Sequence, residues 1–346
     1  MNILFLEGDM SRTGGTERMT AWLSTELSEK YNIHIISLKF ENDKIFFPLS
    51  DTITHTTLKN GNLLNQIFQI RKYIKQHKID TVINVDTGMG IYGILASALT
   101  KTKVITWEHS NFYNNWNSKI FPHLRKFAAK FSDKIVVLTE KDKQNYISNI
   151  RRCKPVTVIS NPMGEFTKNY DLNSKTILSA GLLCEIKRFD RIIPIAKELF
   201  AKHPDWSWII CGDGNERRNL EKLINENNLK DKVILSGNVP NITEFYKKAA
   251  IFVLTSDMEG LPMVLLEAKA HKLPIVSFDI QTGPSDIIRN NQNGFLIKPY
   301  DIEEMTKKIE LLIQYEDLRD QFSDNTVLDM EKFSPERIIE KWINLL

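Results

Sequence analysis

A chain of 346 residues exceeds the size at which a single hydrophobic core usually stops growing, so two domains are the expectation. At 42% hydrophobic and 26% charged residues, with little Pro or Gly excess, the composition excludes a disordered or fibrous chain. The formal net charge of +3 hides an asymmetry: residues 1–165 carry an excess of Lys and Arg, residues 166–346 an excess of Asp and Glu, and twelve basic residues lie between Lys101 and Lys154.

Residues 2–6 form a short apolar strand, followed by a loop with Gly14 and Gly15 and a periodic segment, 16–31, that reads as a helix. Next come a strand at 32–38, a helix at 63–77, strands at 81–85 and 104–107, a helix at 124–131, and strands at 135–138 and 156–159. After Asn161-Pro162 the rhythm restarts, with strands at 176–180, 208–211, 232–235, 251–255, 274–278 and 295–297. Helical patterns at 189–202, 217–227, 242–248, 262–270 and 302–315 separate them. Such alternation indicates βαβ units and parallel sheets. The polar stretch 161–175 divides them, so the expectation is α/β, two Rossmann-like domains: 1–165, completed or not by a C-terminal helix within 330–346, and 166–329.

The start MNILFLEGDM reads as a strand and not as a signal peptide, and no window is apolar for long enough to span a bilayer. Cys153, Cys184 and Cys211 are odd in number and lack metal-ligand spacing, which argues against a secreted disulfide framework. A cytosolic protein that at most touches a membrane is expected.

Ligands of open parallel sheets bind outside the carboxyl ends of the strands, and two such domains facing each other would make a cleft. The distinctive residues all follow predicted strands. Gly14-Gly15-Thr16-Glu17 opens the first long helix, where glycines admit a ligand to the backbone and the helix N-terminus favours an anion. A tight connecting turn explains the same residues. Glu108-His109-Ser110-Asn111 follows a strand, and its imidazole can donate to an oxyanion or sugar hydroxyl, with neutral and charged forms both accessible near pH 7. No nucleophile elbow accompanies it. The 181–188 loop offers Lys187 and Arg188 to offset phosphate charge, although a solvated loop accounts for Arg188 equally well. Gly212-Asp213-Gly214 and Thr282-Gly283-Pro284 are further glycine turns at strand ends.

The stretch SDMEGLPMVLLEAKA at 256–270 holds Glu259 and Glu267, which in one continuous helix would stand about 80° apart. Pro262 is tolerated in a first helical turn and disfavoured deeper inside, so a loop through Glu259 and Gly260 leading into a helix near Pro262 reads better. Glu259 then lies beside the amides of Gly260 and Leu261, which can face a phosphate or sugar, while Glu267 can accept two hydrogen bonds from a vicinal diol such as ribose. Dipole compensation is the plainer account of Glu259.

These elements, with Ser160-Asn161-Pro162 and Asn293-Gly294, span nearly the whole chain. Together they resemble the retaining, nucleotide-sugar-dependent glycosyltransferases of the bacterial polysaccharide-elongating group, glycosyltransferase family 4 with the GT-B fold. The resemblance implies two facing Rossmann-like domains with a cleft between them. It also implies transfer of a hexose or N-acetylhexosamine from a UDP-sugar to a lipid-linked saccharide in capsule, exopolysaccharide or O-antigen synthesis, without a metal or other cofactor.

By the same resemblance Glu267 would bind the ribose, and Glu259 with Gly260, Leu261 and Pro262 would hold the donor sugar and diphosphate. Lys187, in the loop opened by Gly181, would stabilise the departing phosphate, Gly212 would supply a turn close to the ligand, and Gly15 would let the first loop approach it. His109 would reach the sugar at the transferring centre, so that His109, Glu259 and Lys187 form the implied catalytic set. The family commonly has Gly-Arg where this chain has Gly181-Leu182; either Arg188 substitutes or Lys187 carries more of the task. Asp286 stands where many relatives have Glu.

Acceptor recognition would fall to the first half. There Trp116, Phe121, Phe127 and Phe131 interleave with Lys119, Arg125, Lys126, Lys130 and Lys134, a pattern that can rest on the anionic inner leaflet of the cell membrane or send its aromatics into the core. The partners implied are the nucleotide-sugar, the lipid-linked acceptor, that membrane surface, and a second copy of the chain or other polysaccharide-assembly enzymes. A soluble acceptor, or a non-catalytic nucleotide-sugar-binding subunit, are the alternatives. Nucleic-acid binding lacks any accompanying motif.

Overall fold

The computed structural model describes residues 1–42, 44–59, 61–115, 117–164, 171–239 and 241–346. They divide into two units, Met1–Asn161 with Pro335–Leu346, and Pro162–Ser334. The boundary anticipated at 165/166 falls at a stretch outside the described residues, as does Trp116.

Unit 1 runs β1 (Asn2–Glu7), α1 (Gly15–Ser28), β2 (Asn32–Ser37), β3 (Thr54–Thr57), α2 (Leu63–Gln76), β4 (Thr81–Val85), α3 (Gly90–Ser97), β5 (Lys103–Trp107), α4 (Phe121–Phe131), β6 (Lys134–Val137), α5 (Glu140–Asn149) and β7 (Val156–Val158). Its sheet is parallel throughout, in the order β3-β2-β1-β4-β5-β6-β7. Ile3, Leu4, Phe5 and Leu6 of β1 are all buried, the continuous apolar run of a strand covered on both faces. Each such apolar side chain contributes about 1.5–3 kcal/mol on burial.

Unit 2 repeats the scheme with β8 (Thr176–Ala180), α6 (Ile192–Lys202), β9 (Ser207–Cys211), α7 (Arg217–Glu226), β10 (Val233–Gly237), α8 (Thr243–Lys247), β11 (Ile251–Leu254), α9 (Met263–Ala270), β12 (Ile275–Phe278), α10 (Pro284–Ile287), β13 (Gly294–Ile297), α11 (Ile302–Gln314) and α12 (Glu316–Asp324). The strand order is β10-β9-β8-β11-β12-β13, again parallel. Strand order reverses beside β1 in one unit and beside β8 in the other, and such switch points open a crevice at the carboxyl ends.

The last helix, α13 (Pro335–Leu345), returns to unit 1. Trp342 is 1% exposed and meets Trp107 edge-on at 5.0 Å between ring centroids. The Lys103 ammonium donates to the carbonyls of Leu345 at 2.7 Å and Leu346 at 3.1 Å, where a helix end leaves acceptors open and favours a cation.

Five elements depart from the expected list: β3, α3, α5, α10 and α12. β3 reads THTT and pairs with β2 at the sheet edge; with no apolar run it leaves no strand signature. α5, EKDKQNYISN, buries only Asp142, Asn145 and Tyr146, so its apolar period is absent; its start is fixed by the Thr139 side chain accepting from the Asp142 amide at 3.1 Å. α3 carries Gly90 and Gly93, which mask an apolar helix as loop. Among the described residues no helix is long and apolar enough to cross a membrane.

Candidate functional site

In unit 2 three strand-end loops are tied together. The Gly181 amide donates to the Cys211 carbonyl and the Leu183 amide to the Asp213 carbonyl, both at 2.9 Å, so the loops after β8 and β9 run side by side. Gly212 has φ of +135° and lies so close that a Cβ there would collide with the Gly181 carbonyl; only glycine fits. The turn carrying Lys187 is bound to the loop after β11, through the Asp257 amide to the Ile186 carbonyl at 2.9 Å and the Thr255 hydroxyl to the Lys187 carbonyl at 3.0 Å.

On this frame the Lys187 ammonium donates to both carboxylate oxygens of Glu259, at 2.7 and 2.9 Å. The two side chains are 22% and 9% exposed, which shields the pair from much of the screening that weakens surface ion pairs. The Thr282 hydroxyl donates to the Glu259 carbonyl at 2.6 Å, and Gly283, at φ of +100°, packs its bare Cα against Pro262 and the Gly260 carbonyl. Pro262 is the N-cap of α9, in extended conformation, so helix begins at Met263 with Gly260 and Leu261 just outside it. Glu267, one turn in, accepts from the Tyr246 hydroxyl at 2.7 Å, and Tyr246 stacks on His271 at 4.9 Å.

Arg188 sits at φ of +51° and is held by carboxylates: Asp190 at 3.0 and 2.9 Å and Asp257 at 3.2 Å. Arg191 forms an ion pair with the same Asp257 at 2.6 Å and donates to the Thr255 carbonyl at 2.9 Å. The cation proposed to replace the arginine missing at Leu182 is therefore already balanced, while Leu182 itself is 62% exposed.

In unit 1, Gly14 is the N-cap of α1 and Gly15 its first residue; the Glu17 carboxylate folds back into the space a Gly14 side chain would need. Glu7, at the end of β1, is 4% exposed, accepting from the Gly8 amide and the Thr20 hydroxyl at 2.9 Å each. Burial, reinforced by Glu17, pushes its carboxyl up to about 8. His109 lies against the Trp107 ring, 4.1 Å between centroids, and its Nε2 is buried with no hydrogen-bond partner among the described residues. Burial outweighs the pull of Glu108 and brings the imidazole down to about 4. The expectation that both protonation states are accessible near pH 7 is thus corrected: His109 is neutral there.

Arg125 corrects a second expectation. It does not join the outward basic face but is 2% exposed, donating to the Asn114 carbonyl at 2.6 Å and Asn115 Oδ1 at 2.9 Å, with Glu108 at 3.6 Å. Phe121 and Phe127 are half-buried, whereas Ile120, Phe131 and the lysines at 119, 126 and 130 are exposed.

Asp86, Tyr146 and Tyr246 lie outside the sequence motifs. Asp86 follows β4 and was open to the same strand-end rule; the tyrosines sit on helices, where nothing local marks them.

Two family models match the chain, Glycosyltransferase Family 4 over residues 13–163 and Glycosyl transferases group 1 over 165–328. An uncharacterized glycosyltransferase of Haemophilus influenzae is 33% identical over 98% of both chains. The amylovoran biosynthesis glycosyltransferase AmsD of Erwinia amylovora is 29% identical over 99% of both. A Campylobacter jejuni alpha-1,4-N-acetyl-D-galactosaminyltransferase, named for a diNAcBac-PP-undecaprenol-linked GalNAc acceptor, is 28% identical over 100% of this chain and 98% of its own. Among solved structures, Anabaena HepE in complex with UDP-glucose superposes with a TM-score of 0.85 at 17% identity, covering 100% of each chain. With this fold and these matches along its length, the chain belongs to the family 4 glycosyltransferases of the GT-B type.

Proposed function

We propose that the protein moves a hexose or N-acetylhexosamine from a UDP-sugar, with retention of anomeric configuration, to a lipid-linked saccharide during synthesis of a surface polysaccharide. The Lys187–Glu259 pair carries the donor half of this reading. Without donor, each charge satisfies the other; a bound diphosphate would take the ammonium and leave the carboxylate and the Gly260 and Leu261 amides for the sugar. The mouth of α9 adds its dipole, and Gly181 and Gly212 bring backbone close. Glu267, braced by Tyr246, is assigned the ribose, and neutral His109 the sugar hydroxyl at the transferring centre. Arg188 is kept in the site as an orienting cation of the phosphate loop, bound to Asp257 and Asp190.

The acceptor half draws support from the names of the amylovoran and undecaprenol-linked relatives and from one face of unit 1. Helices α2, α3 and α4 carry no Asp or Glu. Leu64, Phe68, Leu95, Ile120 and Phe131 are exposed there together with Lys72, Lys75, Lys126 and Lys130. Exposed apolar side chains and cations on the same helices, without acids, suit the anionic inner face of a cell membrane. Sedimentation with vesicles containing phosphatidylglycerol should exceed that with phosphatidylcholine alone and should fall in Phe68→Glu/Phe131→Glu; equal sedimentation would favour a soluble acceptor.

A panel of UDP-, GDP- and ADP-sugars, with the anomeric configuration of the product read by NMR, tests the reaction itself. Retained configuration from a UDP-sugar supports it, and an inverted product or strict metal dependence overturns it. Lys187→Ala and Glu259→Ala should each lower kcat roughly 100- to 1,000-fold, the cost of removing one preorganised charge from a reacting centre. Glu267→Ala should act mainly on donor KM.

A further inference from the structure

Glu108 stands directly before His109, is 0% exposed, and has no role in the reading above. Its Oε2 accepts from the Tyr146 hydroxyl at 2.8 Å and from the Thr87 hydroxyl, with Arg125 Nε at 3.6 Å. Its Oε1 accepts from the Ser110 amide at 3.1 Å and the Ser110 hydroxyl at 3.0 Å. The Asp86 carboxyl hydrogen-bonds to it as well. Two carboxyls in such contact share a proton. Burial and the neighbouring Glu108 push Asp86 well up, so the proton rests there; burial also works to raise Glu108, but Asp86, Arg125, Thr87 and Tyr146 outweigh it and keep it anionic.

A buried carboxylate is costly unless donors surround it, and here they come from the loops and helices after β4, β5 and β6. The bonds from Ser110 bend residues 108–110 into a closed turn with His109 at its apex. On one side the imidazole meets Trp107; Nε2 stays buried and unpartnered among the described residues, an unfavourable state for a polar atom. Asp86 holds φ of +70°, a backbone conformation disfavoured for a residue with a side chain, and such strain concentrates where surrounding structure enforces it.

We propose that Glu108 is the positioning residue of the His109 site: anchored by Asp86, Thr87, Tyr146 and Arg125, it holds Ser110 and thereby fixes the His109 imidazole with Nε2 kept unpartnered. The use of that nitrogen rests on the glycosyltransferase reading of His109; the fixing of the ring does not.

Two variants that preserve shape test this, Ser110→Ala and Tyr146→Phe, each removing a hydroxyl that bonds Glu108. Both should move the His109 imidazole resonances in 15N NMR from their wild-type positions and lower kcat by roughly 10- to 100-fold, as small misplacements of a catalytic group do, with donor KM unchanged. Glu108→Gln should lower kcat further; if it fails to fold, the two milder variants still decide. Unshifted His109 resonances in both would overturn the proposal, as would losses of kcat that match the unfolded fraction seen by circular dichroism. The resonances are read without turnover, so a wild-type protein that transfers no sugar refutes the enzymatic reading and leaves this test standing.

Discussion

His109 and Glu7 are both neutral at pH 7, and their titrations oppose one another. Folding raises the Glu7 carboxyl from 4.5 to about 8, so between those values the folded state binds the extra proton. Its stabilising contribution is complete below pH 4.5 and is lost as pH rises toward 8. His109 falls from 6.5 to about 4, so the unfolded state binds the extra proton there and stability is lost as pH falls through that window. Calorimetry of wild type against Glu7→Gln between pH 6.5 and 8 reads the Glu7 effect, because Lys269, brought down by burial to about 8, adds its own titration above that. Glu7→Gln should flatten the decline and raise Tm at pH 8 by several degrees, whereas a variant that tracks wild type would show Glu7 ionised when folded. At this scale Lys187 and Glu259 are legible as candidates, since each follows a predicted strand. Their pairing is not, because it depends on β8 and β11 lying side by side although 72 positions separate the residues.

Loops at strand ends are held by glycines whose conformations admit no side chain. Gly212→Ala would force a methyl group into the Gly181 carbonyl at φ of +135°. It should cost about 1–3 kcal/mol or more in denaturant unfolding and raise donor KM through the displaced 181–187 loop; wild-type binding would show that the two loops move independently. Glycine turns of this kind were legible because Gly181, Gly212 and Gly283 each follow a periodic strand. Helix α5 was not, since its identity rests on a Thr139 cap and one deeply buried tyrosine, neither of which produces a hydrophobic period. Likewise, the inward turn of Arg125 on α4 depends on Glu108, which approaches from another element.

For the whole molecule, alternation of strands and helices was enough to foresee two α/β units, but which unit would own the last helix was left open, since its amphipathic pattern fits either sheet. Trp342 decides it by packing on Trp107. Trp342→Ala should destabilise unit 1 by about 3–5 kcal/mol, the usual loss for a buried aromatic, and should enhance His109 exchange broadening because Trp107 then loses its support. Nucleotide binding by unit 2 should persist; its loss would mean the two units share one unfolding transition. Synthesis meets the same connectivity as a matter of time. Residues 1–161 leave the ribosome early, yet their sheet lacks α13 until Trp342 emerges, roughly ten to forty seconds later at ordinary elongation speeds. Through that interval Trp107 stays uncovered, an apolar surface for a chaperone to hold.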